Sequence, residues 1–155
     1  MPFVDDPQPR CHFYPSVFRD GDELFHTAEQ YIMYRKAVLF GDLVTAQRVL
    51  AARTPGECKR LGRVVRPYDD AVWCAVRLNV AVDACRLKFS QHKKCRAALL
   101  ATGERLLVEA SPSDRVWGIG IAEQDALAYR HQWDQNLLGQ ALMQVRATLR
   151  QETNG

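Results

Sequence analysis

The stretch RPYDDAVWCAVRLNVAVDACRLKFSQ, residues 66 to 91, is the longest periodic segment of the chain. Its apolar residues Val72, Val76, Val80 and Ala84 recur every fourth position, the spacing of one helical face. Shorter helices are punctuated around it. Thr27 with Gln30 forms a capping box that opens a helix ending near Leu39, and Gly41-Asp42 closes it. LVTAQRVLAAR (43 to 53) reads as a second helix. Thr54-Pro55 opens a third, with Gly62 near its end. HKKCRAALLATG stops at Gly103, and a last helix starts near Asn136 with the stripe Leu138, Leu142, Val145 and Leu149.

The remainder supplies a small β component. CHFYPSVF, broken by Pro15 and followed by the turn RDGDE, predicts a short strand or a hairpin over 11 to 25. RLLVEA (105 to 110), a short apolar run after a glycine break, predicts the clearest strand. SPSDRVWGIGIAEQDA reads as a loop. The expected fold class is therefore α+β: one domain over 11 to 150, predominantly helical with a small sheet. A loose Pro-rich arm over 1 to 10 and a disordered tail over 151 to 155 would flank it. There is no repeat or interdomain linker.

Composition narrows the setting. The N-terminus has two acids, three prolines and no apolar run, which does not read as a secretory signal. No apolar stretch has the length of a membrane span. Five cysteines at wide spacing, without a CxxC pair, argue against a disulfide framework and a zinc site. Reduced thiols fit a cytoplasmic or nuclear location. The net charge of +3 comes from dispersed basic residues, unlike the concentrated patch of a dedicated nucleic-acid binder. It leaves room for a small anionic ligand. No P-loop, GxSxG, HExxH or complete GxGxxG is present.

Glu29 and Lys36 leave one face of the first long helix, seven residues apart. On position alone, both are explained by complementing the helix dipole, worth about 0.3–1 kcal/mol each. Glu109 reads as an exposed strand residue, and the tryptophans Trp73, Trp117 and Trp133 as packing.

The ordered set of segments says more. FYPSVF, TAEQYIMYRKA, AVW, KF, LLATGERLLVEASPSDRVWGIG and NLLGQALMQVR together resemble the YbiA-like, or NADAR, family of N-glycosidases over about residues 11 to 149. The resemblance implies hydrolysis of an N-glycosidic bond to ribose; no cofactor and no metal are expected. The substrate would be an ADP-ribose or ribose-phosphate conjugate. It would be ADP-ribose on guanine, carried by DNA, RNA or nucleotide, or else a ribosylamino-pyrimidine intermediate of riboflavin synthesis. A binding module that reads ADP-ribose without cleaving it is a further alternative. The resemblance places catalysis on Glu29, Lys36 and Asp114. It places substrate contacts on Trp73, Glu109 and Trp117, and Arg10, His12, Tyr14, Gly118 and Gly120 are expected to contact substrate as well. Cys11-His12 stands where many relatives have Ser-Asn. Arg10, Arg35, Arg63, Arg66 and Arg77 are the candidates for binding phosphate.

Overall fold

The computed structural model describes residues 17–155. They gather into two compact units, one ending at Gln91 and the other beginning at His92. The expected arm and the expected substrate contacts Arg10, His12 and Tyr14 lie outside the described residues.

The first unit opens with an antiparallel hairpin, β1 (Phe18–Asp20) and β2 (Glu23–Phe25). The hairpin was expected; residues 11 to 16 of that expectation lie outside the described residues. Phe18 pairs with Phe25 in register, and both side chains are buried on one face, as a two-residue period requires. Their rings meet at 5.7 Å and pack on Tyr31 of the first helix at 5.9 and 5.0 Å. A two-stranded hairpin is marginal alone, so this aromatic cluster holds it. Gln91 covers one edge: its amide accepts from Arg19 N and donates to Arg19 O.

Four helices follow: α1 (Ala28–Leu39), α2 (Leu43–Ala51), α3 (Pro55–Arg63) and α4 (Asp70–Gln91). Thr27 caps α1 through Oγ1, which accepts from Gln30 N at 3.1 Å. The reciprocal bond of the box shifts by one residue, because Gln30 Oε1 accepts from His26 N at 2.7 Å. The buried Gln30 amide then donates to Val49 O and Leu50 O at the end of α2. One glutamine thus joins the start of α1 to the end of α2. Gly41 takes the left-handed conformation (φ +74°) that ends α1. Asp42 caps α2 through Oδ1. Helices α2, α3 and α4 all pack on α1. Gly62 lets α3 approach closely, since a Cβ there would overlap Met33 Sδ.

The face of α4 differs from the expected row. Val72 is exposed and Val76 half-buried, while Trp73, Val80, Ala81, Ala84, Cys85, Lys88 and Phe89 are buried. Four residues turn a helix by about 400°, so a strict every-fourth row drifts off a straight seam. Over 22 residues the core face must alternate steps of three and four.

In the second unit, α5 (Lys93–Ala101) packs against α6 (Leu137–Asn154). The stripe Leu138, Leu142, Val145 and Leu149 is buried as expected. Two expectations fail here. Residues 151 to 154 continue α6 rather than forming a disordered tail, and Arg96 anchors this last turn by bonding Thr153 and pairing with Glu152. The segment 105 to 110 forms no strand among the described residues; Leu107 alone makes a bridge. Leu107 and Val108 are both fully buried, which breaks the alternation a half-buried strand needs.

Candidate functional site

Lys36 is half-buried near the end of α1. Its amine stands 4.5 Å from the ring centroid of Tyr68 and 5.8 Å from that of Trp73. Trp73 is almost fully buried in the first turn of α4, whose start is fixed by Val72 N donating to Asp69 Oδ1. Tyr68 donates its hydroxyl to Asp70 Oδ1 at 2.8 Å and packs edge-on against Phe40 at 5.2 Å. Partial burial and the Asp70 carboxylate push the Tyr68 phenol up to about 12, so it stays protonated. For Lys36, burial lowers the amine's pKa, and the nearby Arg66 cation lowers it further against the opposing pull of Asp70.

Glu29, in the first turn of α1, makes no ion pair with Lys36. Seven residues correspond to a rise of about 10.5 Å along the helix. Instead Glu29 acts on two buried thiols, Cys58 of α3 and Cys85 of α4. Burial, with the Glu29 field second, pushes Cys58 up to about 11. Cys85 rises to about 12, chiefly through burial, with Lys88 and Glu29 acting in opposite directions. Neither thiol supplies a thiolate near neutral pH. The α1 face toward α3 and α4 therefore carries a carboxylate at one end and an amine between two rings at the other.

The remaining expected residues belong to the second unit. Asp114 Oδ1 accepts from Val116 N at 3.1 Å and Trp117 N at 2.8 Å, which winds the loop around that carboxylate. Ile119 N donates to Glu109 O, and Gly120 N to Asp114 O. Gly118 is explained by packing: a Cβ would stand 2.6 Å from Glu109 O and 2.8 Å from Asp114 O. Gly120 adopts φ +71° and abuts the Asp134 carboxylate, which Arg115 holds with two bonds. Glu109 is half-buried with Oε2 sealed from solvent, and Trp117 is half-buried.

Two residues that sequence reasoning missed organise these arrangements. Tyr68 forms one wall beside Lys36; its signal is an aromatic side chain just ahead of a helix start. Asn136, buried and left-handed (φ +49°), donates from Nδ2 to Leu107 O at 3.0 Å. Its Oδ1 accepts from Glu109 N at 2.9 Å, and its own N–H donates to Gly118 O. The sequence shows Asn136 only as a helix start.

Among the described residues, no three His, Cys, Asp or Glu side chains gather as a metal site, and no helix is long and apolar enough to cross a membrane.

The family model described as "NADAR domain" matches residues 4–150. This chain belongs to that family. It is 38% identical over 141 residues to N-glycosidase R617 of Acanthamoeba polyphaga mimivirus, covering 86% of this chain and 83% of that protein. It is 34% identical over 139 residues to N-glycosidase Npun_R5314 of Nostoc punctiforme, covering 90% and 83%. The NMR structure of Escherichia coli YbiA superposes with a TM-score of 0.75 at 29% identity, covering 92% of this chain and 78% of that one. The YbiA-like α+β fold is thus present. One family model runs through both compact units, which are parts of a single domain.

Proposed function

We propose that this chain is an N-glycosidase that removes ADP-ribose from guanine, in nucleic acid or nucleotide. The observation that carries this reading is the half-buried Lys36 amine, held beside the Tyr68 and Trp73 rings with its basicity lowered. The names of two close relatives, N-glycosidases both, support the reaction class.

Cleavage of a ribose–nitrogen bond develops positive charge on C1 and the ring oxygen. A carboxylate stabilises that charge, and a neutral amine can capture the carbon. In the proposed sequence, neutral Lys36 attacks C1 and the glycosidic C–N bond breaks. The departing base takes the electron pair and a proton. The sugar opens to an imine on Lys36, and water then hydrolyses the imine to release ADP-ribose and restore the amine. Glu29 serves the proton transfers and the developing cation, work worth about 10²–10⁴-fold. Asp114 organises its own loop by accepting from the Val116 and Trp117 amides. The exposed face of Tyr68 suits a base or adenine, a stack worth about 1–3 kcal/mol, while the buried Trp73 backs the Lys36 amine.

The test is release of free ADP-ribose from ADP-ribosylated guanosine or DNA. Wild type is expected to release it, and Glu29→Gln to bind the same substrate but release it at least about 10²-fold more slowly. Binding without release by wild type would make the chain a reader. Release only from a ribosylamino-pyrimidine would move the substrate to the riboflavin intermediates.

A further inference from the structure

Of the five arginines that could meet phosphate, the structure ranks four. Arg35 is already engaged: its guanidinium donates to Tyr31 OH and pairs with Asp83 at 3.2 Å. Arg77 has interactions of its own on α4 and acts electrostatically on Tyr68. Arg63 closes the last turn of α3, and its carbonyl faces the Arg66 guanidinium. Arg10 lies outside the described residues.

Arg66 is different. It stands two residues before Tyr68, whose ring is 4.5 Å from the Lys36 amine. Its backbone is tied down, because Arg66 N donates to Asp42 Oδ2 at 3.0 Å. Its guanidinium is oriented, because Nη1 donates to Val65 O at 2.7 Å. Among the described residues, Nε and Nη2 make no hydrogen bond, and no carboxylate pairs with the side chain. Two cations thus share one neighbourhood. The carboxylate acting on Lys36, Asp70, is itself occupied by Tyr68 OH and the Cys74 thiol. Like charges held together raise the free energy of the empty protein, and an anion placed beside both relieves it.

We propose that Arg66 binds the phosphate oxygens of the ribose-bearing substrate, with its Nε–Nη2 edge as a two-pronged donor next to Lys36. The inference rests on the glycosidase reading for the presence of ribose at Lys36. A guanidinium edge matches two phosphate oxygens, whereas an ammonium meets them only as a point charge. The phosphate can be the pyrophosphate of ADP-ribose or a 5-phosphate on ribose itself, since both present the same oxygens.

Calorimetric titration of the full chain with ADP-ribose, ribose 5-phosphate and plain ribose tests this without turnover. Wild type is expected to prefer the phosphorylated sugars over ribose. Arg66→Ala should weaken the phosphorylated ligands by about tenfold or more, the equivalent of one charge-assisted hydrogen bond, and leave ribose unchanged. Arg66→Lys should lose less, and Arg66→Gln, which keeps the stem, should behave as alanine does. A loss confined to ADP-ribose places the pyrophosphate on Arg66; an equal loss for ribose 5-phosphate places a 5-phosphate there. Unchanged affinities in folded Arg66→Ala or Arg66→Gln, or no preference for phosphate in wild type, would overturn the inference. Absence of glycosidase turnover beside an Arg66-dependent titration would sink the proposed function and leave this site standing.

Discussion

Lys36→Ala is expected to lower glycosidase turnover by about 10³-fold or more while leaving the fold intact, because it removes the proposed nucleophile. Lys36→Arg should not restore activity. A guanidinium keeps its charge at every accessible pH, and the reaction needs a neutral amine. The same argument fixes the pH profile. Burial and Arg66 lower the Lys36 pKa, so its neutral fraction at a given pH exceeds that of an ordinary lysine. Turnover rises with pH as that amine loses its proton. Removing the Asp70 charge by Asp70→Asn takes away an influence that raises the pKa, so the rising limb should move to lower pH. Removing the Arg66 cation should move it to higher pH. Steady-state rates across pH for the three proteins check both directions; shifts of the opposite sign would contradict the assignment of the limb to Lys36. The two rings oppose the effect modestly, since cation–π attraction favours the ammonium by about 0.5–1 kcal/mol.

Asn136→Ala is expected to destabilise the protein by about 3 kcal/mol or more and to lower its midpoint of thermal unfolding by about 10 °C. Two mechanisms add. Leu107 O and Glu109 N lose partners supplied by a buried side chain, at about 1–3 kcal/mol for each group left unpaired. Alanine must also hold the left-handed backbone of residue 136, a penalty of about 1–2 kcal/mol. Glycine adopts that backbone freely, so Asn136→Gly isolates the first mechanism and should be the milder change. Thermal melts of the two variants separate them. If alanine and glycine are equally damaging, conformational strain plays no part; if neither is damaging, the bonds across the loop contribute nothing to stability.

Helix order was readable because the punctuation is local. Thr27, Thr54, Gly41 and Gly103 act within a turn of their own helix ends, and each does in the structure what its residue type predicts. The hairpin was readable from aromatic residues flanking a Gly turn. The segment 105 to 110 misled because part of its backbone pairs with a side chain: Asn136 supplies one donor and one acceptor from 29 and 27 residues away. No local propensity encodes that. The seam of α4 misled because a row of valines every fourth residue looks like a face but rotates along the helix.

Site residues divide the same way. Glu29, Lys36 and Trp73 became candidates through family resemblance, while helical spacing alone favoured a surface explanation for Glu29 and Lys36. The aromatic wall supplied by Tyr68 and the field of Arg66 depend on how the chain between α3 and α4 returns to α1. Gly118 and Gly120 were expected as substrate contacts. Their surroundings show a steric reason for glycine in the loop itself.

The most direct test of a covalent role for Lys36 is borohydride reduction during turnover, followed by peptide mass analysis. The account predicts a substrate-dependent sugar adduct on Lys36, absent from Lys36→Ala. An active enzyme that yields no adduct, or yields one on another lysine, would contradict it.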